Sequence, residues 1–198
     1  MTTELKKTEL DLQSQYTMKL NWFTGNGQAV LLTCCSVDRS IDGIITVSWA
    51  TPISHDPFLL MVSVGNALKS GKMSYRFCYQ LINETKEFGF NIPGKHLIES
   101  VAKVGSTHSN KVDKFTQAGL TRMDAKKIHA PLIAECFLNM ECRVIEQLVT
   151  GDQTVFVAEP VAAYMDEDVL VDGRFADKYC NKSNRIYLSD VITFWKMW

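Results

Sequence analysis

Thr46, Ser48 and Thr51 place hydroxyls where an apolar stretch opens into a loop, and Trp49 sets one large flat ring among them. Hydroxyls and free backbone N–H groups beside an aromatic suit a planar, phosphorylated ligand, which needs donors at one end and an apolar surface at the other. The same residue types also suit an ordinary strand end. They sit in the stretch GIITVSWATPISHDPFLLMVSV, from Gly43 to Val64. Ile44–Ala50 and Phe58–Val64 read as strands. The connector between them holds Pro52, Ser54, His55, Asp56 and Pro57, with His55 read as a turn residue.

A chain of 198 residues, 46% apolar and 22% charged, is long enough to bury a core as one domain. A formal charge of −1 and the lack of any Lys/Arg run leave no electrostatic footprint for nucleic acid. An anionic ligand must then be held by a few local cations. The longest uninterrupted apolar run, Phe58–Val62, is far too short to cross a bilayer. The opening MTTELKKTEL mixes both charge signs and has no apolar core, so it does not read as a secretory leader. The expectation is a cytoplasmic protein without a membrane or nucleic-acid partner.

The cysteines show no C-x-x-C pair: Cys34 and Cys35 are adjacent, Cys136 and Cys142 have no ligand-type residue between them, and Cys78 and Cys180 stand alone. With His55, His96, His108 and His129 also lacking metal-site spacing, reduced and mostly buried thiols are the better account, and no metal is expected.

Around these residues the chain divides into an N-terminal extension, residues 1–20, and a single domain over 21–198. Ala29–Ser36 reads as a strand, Tyr75–Thr85 as a helix with Phe77, Leu81 and Ile82 on its buried side, and Phe88–Ile92 as a short strand stopped by Pro93–Gly94. His96–Val104 and Lys111–Ala118 read as further helices, the second ended by Gly119. Leu132–Val144 alternates strictly, with Cys136 and Cys142 on its apolar face, and turns through Thr150–Gly151–Asp152 into a partner strand at Thr154–Ala163. Pro160 within that partner marks a bulge or an edge. The tail from Asp166 reads as loop-rich and gathers Phe194, Trp195 and Trp198 at its end. Strands joined by turns, with helices inserted in the middle, predict a mainly β fold: a small antiparallel barrel with helical excursions.

Four stretches in this order resemble the flavin reductase-like family. TVSWATPISHDP is similar to its flavin-binding strand and loop, and YRFCYQLINETKEFGFNIP to its R-x-[ST]-x-x-L-I helix and following strand. GSTHSNKVDKFTQAGL resembles its G-S-x-S-G-x-x-x-D-K-F segment, and APLIAECFLNMECRV with GDQTVFVAE its long hairpin. The resemblance covers about Ala29 to Ala163 and implies an FMN-binding split β-barrel, antiparallel and of Greek-key type.

It also implies a site. Thr46, Val47, Ser48, Trp49 and Ala50 would line the ribityl chain and ring of the flavin, with Ser63 facing the same groove from the next strand. Arg76 would hold the phosphate with its planar fork of donors, beside Cys78 at the helix start. Ser106 falls in the G-S segment, and Lys114 either approaches the pyrimidine edge or is an ordinary surface lysine. There are three departures from the family pattern. Cys78 replaces a Ser or Thr, Gln153 stands where a His is common, and DKYCNKSNRIYL aligns only loosely. FMN is expected in preference to FAD. The expected activity is that of an NAD(P)H-dependent flavin reductase-like enzyme passing hydride to flavin N5. The alternative is a flavoredoxin-type electron carrier, without catalysis of its own, serving redox-protein partners. A homodimer is expected, with the C-terminal aromatics buried in it.

Overall fold

The computed structural model describes residues 27–66, 77–107, 112–172 and 174–196. The expected extension over residues 1–20 lies outside them, as do Arg76 and the side chains of Phe194, Trp195 and Trp198.

Strands β1 (Val30–Cys35), β2 (Asp42–Val47), β3 (Ala50–His55) and β4 (Phe58–Gly65) open the domain, followed by helix α1 (Phe77–Thr85) and strand β5 (Glu87–Ile92). Helices α2 (Ile98–Ser106) and α3 (Lys114–Ala118) come next. Two-residue strands β6 (Arg122–Met123) and β7 (Leu132–Ile133) then lead to the hairpin of β8 (Leu138–Thr150) and β9 (Gln153–Met165). Seven strands form one sheet in the order β2-β1-β5-β8-β9-β4-β3, every neighbouring pair antiparallel. No helix among the described residues is long and apolar enough to cross a membrane.

All six residues of β1 are buried, because each face of the strand meets a different core. Val30, Leu32 and Cys34 point into the concave side, where Leu81 and Ile82 of α1 fill the sheet with Phe88 and Phe156. Leu31 points outward, where Ile44 and Ile133 pack against Val101 of α2 and Phe115 of α3. A strand covered on both sides reads as a continuous apolar run rather than an alternation, and VLLTCC is that run.

The sheet does not close, so the expected split barrel is corrected to an open, curled sheet. β2 ends at Val47, paired to Val30, and β3 begins at Ala50, paired to Val62 at the opposite end of the sheet. Only Ser48 and Trp49 cross between, and the Ser63 N–H donates to Trp49 O at 2.9 Å. The β2 edge is otherwise occupied, and the β3 edge is interrupted. On β2 the Thr46 hydroxyl donates to Val101 O (3.0 Å) and the Lys114 ammonium to Ile44 O (2.9 Å). On β3, Pro52 lacks an N–H and a register shift follows it before Ser54. Edges managed in this way have no row of groups left to zip together.

Further readings change. The alternation over Leu132–Val144 is not one strand: the Ala134 N–H donates to Thr121 O, and residues 134–137 turn between β7 and β8. Cys136 and Cys142 are both buried as expected, but in different cores, Cys136 in the outer and Cys142 in the inner. Burial pushes both thiols far above their ordinary range. The tail is more ordered than its composition implies. It contains a short hairpin, β10 (Leu170–Val171) with β11 (Arg174–Phe175), then helices α4 (Asp177–Cys180) and α5 (Leu188–Lys196). Asp190 accepts the Tyr187 N–H at 2.9 Å and pairs with Lys95 at 2.6 Å, fixing the start of α5, whose Val191 joins the outer core. The expected strand over Ile44–Ala50 breaks at Ser48 and Trp49, and most of the expected connector, through His55, is strand β3. Two readings stand: Pro160 sits at a bulge opposite Cys142, and Gly119 ends α3 at φ 66°.

Candidate functional site

Where β2 hands over to β3, the open seam of the sheet forms a groove with two joined lobes. The larger, about 690 Å³, is walled by Ala50, Thr51, Met61 and Val155. The smaller, about 160 Å³, lies in the seam itself, between Thr46 and Val47 on one side and Val64 and Gly65 on the other. Ser48, Trp49, Ser63 and Gln153 line both lobes. The larger volume is in the range of small-molecule sites.

Local sequence explains the shape. The period-two alternation of β4 turns Leu60, Val62 and Val64 into the core and leaves Met61, Ser63 and Gly65 on the groove side. Register then brings Val155 opposite Ser63 and Gln153 opposite Gly65. Gly27 lets the incoming chain approach the Ser48–Trp49 corner, since a Cβ there would lie 2.2 Å from Ser48 O.

Of the ten residues expected at a site, the groove brings together six: Thr46, Val47, Ser48, Trp49, Ala50 and Ser63. Thr46 contributes through its position, while its hydroxyl is turned away to Val101 O. The others lie elsewhere. Cys78 packs in the inner core, and burial together with the Cys78 thiol pushes the Cys34 thiol well up. Ser106 ends α2 with its hydroxyl donating to Lys103 O at 2.9 Å. Lys114 is neither a surface lysine nor a groove residue. Its buried ammonium donates to Ile44 O (2.9 Å) and Val104 O (2.7 Å), tying α3 and the end of α2 to the edge of β2. Arg76 lies outside the described residues.

Thr51, one of the hydroxyls read from the sequence, lines the larger lobe, but sequence reasoning did not single out Met61 or Val155 for the groove. The alternation of β4 already places Met61 beside Ser63, whereas Val155 depends on the register of β9 against β4, which no local signal records.

The electrostatics of the groove are plain. Among its described lining residues there is no cation, and Asp152 is the one ionisable group. The Ser63 hydroxyl reaches Gln153 Oε1 only at 3.5 Å. Neither the Ser48 hydroxyl nor the Gln153 amide nitrogen has a partner among the described residues. Unspent neutral donors beside Trp49, Met61 and Val155 fit a flat ring with polar edges. A phosphate would need a cation from outside this lining.

Residues 25–182 match the model of the flavin reductase like domain. An uncharacterized protein of Archaeoglobus fulgidus is 34% identical over 131 residues, 66% of this chain and 69% of its own length. Among solved structures, flavoredoxin from Methanosarcina acetivorans superposes with a TM-score of 0.71 at 22% identity, over 93% of this chain and 92% of that one. Nitrilotriacetate monooxygenase component B from Bacillus cereus gives 0.73 at 15% identity, over 94% and 97%. At these identities the two structures share the fold.

Proposed function

Because the chain belongs to the flavin reductase like family, we propose that it binds FMN in the two-lobed groove and carries electrons on it, as a flavoredoxin-type protein. The observation that carries the reading is the pairing of unspent neutral donors, Ser48 and Gln153, with the apolar walls Met61 and Val155 in one cavity of about 690 Å³. Ser48, Ser63 and Gln153 would hold the ring edges, and Trp49 would cover the junction of the lobes. FMN supplies the redox chemistry when bound, and these residues supply position and exclusion of water. The likeness to flavoredoxin supports the carrier role.

A reductase using NAD(P)H is the second reading, favoured by the likeness to a monooxygenase component and by the volume of the larger lobe. It is the weaker of the two. A nicotinamide dinucleotide brings a pyrophosphate, and the described lining of the groove has no cation to meet it. Arg76 is the proposed phosphate ligand for FMN itself. A homodimer completes the proposal. Leu148, 64% exposed, and Val149, 51% exposed, stand beside the groove on the hairpin, where a second copy would cover them.

An absorbance spectrum of the purified protein, with and without added FMN, tests the central claim. Bound flavin at about one per chain is expected, and unchanged FMN fluorescence at micromolar protein would remove the claim. Anaerobic NADH then separates the readings. A carrier keeps its oxidised spectrum until a chemical reductant such as dithionite is added, whereas a reductase bleaches with NADH alone. Arg76→Ala is expected to weaken FMN by roughly 1.5–3 kcal/mol, the range for a charged hydrogen bond, and to leave riboflavin nearly unchanged. Sedimentation at tens of micromolar checks the dimer.

A further inference from the structure

Gln153 stands where the two lobes of the groove meet. It follows directly on the hairpin turn, where Gly151 takes φ 64° and Asp152 is exposed, a place where a side chain is ordinarily free to wander. Here it is held. Fully buried Asn66, just beyond β4, donates from its amide to Gln153 O at 2.7 Å and to the Thr154 hydroxyl at 3.1 Å. The Asn66 backbone N–H donates to Asp152 O at 2.9 Å. Three bonds from one residue fix the first residue of β9 against the end of β4.

What this anchorage presents is a carboxamide, the only one among the described lining residues. A carboxamide offers an acceptor and a donor side by side in one plane. Its Oε1 has only the 3.5 Å approach of the Ser63 hydroxyl, and its Nε2 is without a partner among the described residues. The anchorage itself holds β9 against β4, but the head group it presents is left almost unused by the fold. Its use lies in what occupies the groove.

We propose that Gln153 is the specificity-determining residue of the groove, reading an uncharged imide edge of the ring ligand, a C=O beside an N–H in the ring plane, with Asn66 as its positioning residue. This rests on the flavin reading above, because the isoalloxazine ring carries such an edge. The complement is chemical: each partner offers one donor and one acceptor, and neither changes charge near neutral pH. A groove whose described lining holds no cation gains selectivity for a ring from this pair without paying for a buried charge.

The test compares FMN with FMN methylated at the imide nitrogen, which keeps the ring, chain and phosphate but loses the donor. Affinities are read from flavin fluorescence. The full-length protein is expected to favour FMN by about three- to tenfold, the scale of one neutral hydrogen bond. In Gln153→Ala, which leaves room for the methyl group, FMN weakens by a similar factor and the preference disappears. Gln153→Glu, which keeps the shape but loses the donor, weakens FMN likewise and lowers the midpoint potential of the bound flavin. Asn66→Ala loses part of the preference. Preference intact in Gln153→Ala, or FMN affinity and potential unchanged in both Gln153 variants, overturns the assignment while the flavin reading stands. Failure of the unaltered protein to bind either flavin overturns both.

Discussion

At one end of the β8–β9 hairpin the buried Glu141 carboxylate accepts the backbone N–H groups of Lys126 (2.8 Å), Lys127 and Ile128 (3.0 Å) and the Tyr164 hydroxyl (2.7 Å). Two residue pairs earlier, buried Asn139 donates to Asn91 Oδ1 and Ile133 O, both at 2.8 Å, and Asn91 in turn donates to Leu31 O at 2.9 Å. At the other end of the same hairpin Gln153 has an unspent amide, and Ser63 reaches it only at 3.5 Å. The two ends share a pair of strands and differ in whether their polar groups are complete. A completed buried network fixes backbone to backbone. An incomplete one at the wall of a cavity leaves donors and acceptors open to whatever fills it. Buried polar side chains alone therefore do not set the groove apart from the rest of the fold, and their residual capacity does.

The comparison breaks first at Glu141. Replacing it with Ala leaves three N–H groups and a phenol without their acceptor, and is expected to cost about 3 kcal/mol or more of folding stability, read from urea unfolding. FMN affinity of the folded fraction is expected to stay unchanged. A loss under about 1 kcal/mol would remove the contrast between the ends. The same carboxyl also predicts an acid limb. Burial alone would raise its pKa, but the N–H groups and Tyr164 outweigh that and hold it below the usual range. The ionised form is thus favoured by folding. Its contribution is full above the unfolded carboxyl value of about 4.3 and fades as pH falls through the lower folded value. Glu141→Gln flattens that limb of the stability–pH curve.

Lys114 sharpens the contrast, because a cation near a flavin site invites a binding role. Its ammonium is committed to Ile44 O and Val104 O. Lys114→Met is expected to cost roughly 1.5–3 kcal/mol of stability, the range for hydrogen bonds to a charged group. The ratio of FMN to riboflavin affinity is expected to stay as it was. A change in that ratio would move Lys114 from the structural class to the binding class. Cys78 belongs with it: buried among Cys34, Leu81 and Ile82, its replacement by Ser is expected to cost about 1 kcal/mol and not to tighten FMN.

These distinctions were unevenly legible in the residues. The hydroxyls of Thr46, Ser48 and Thr51 and the ring of Trp49 could be read, because a cluster of that kind at a strand end is a local property, whereas Val47, Ala50 and Ser63 entered only through the family resemblance. The fate of Lys114 could not, since its burial depends on two carbonyls from β2 and α2, 70 and 10 residues away in the chain. Openness of the sheet was equally hidden. It follows from which partner each half of the 42–55 segment finds, β1 or β4, and strand pairing of that kind is a property of the assembled fold. The break at residues 134–137 was masked for another reason: Leu132, Ala134 and Cys136 keep an apolar alternation through a turn held by Thr121 and Ile133 carbonyls.

The smallest effect is expected at Ser63, and it is the finest probe of the comparison. Its hydroxyl makes one long contact to Gln153, so Ser63→Ala removes almost nothing from the folded protein and stability is expected to hold within about 0.5 kcal/mol. The same hydroxyl lines both lobes of the groove. If its unused capacity is spent on ligand, the variant loses FMN affinity by about 0.5–1.5 kcal/mol, the range of one neutral hydrogen bond. Combining Ser63→Ala with Gln153→Ala then gives a cycle in which the two losses are not additive, because the pair is in contact and shares one ligand edge. Additive losses would show two separate contacts, and no loss at all would return Ser63 to the structural class with Lys114.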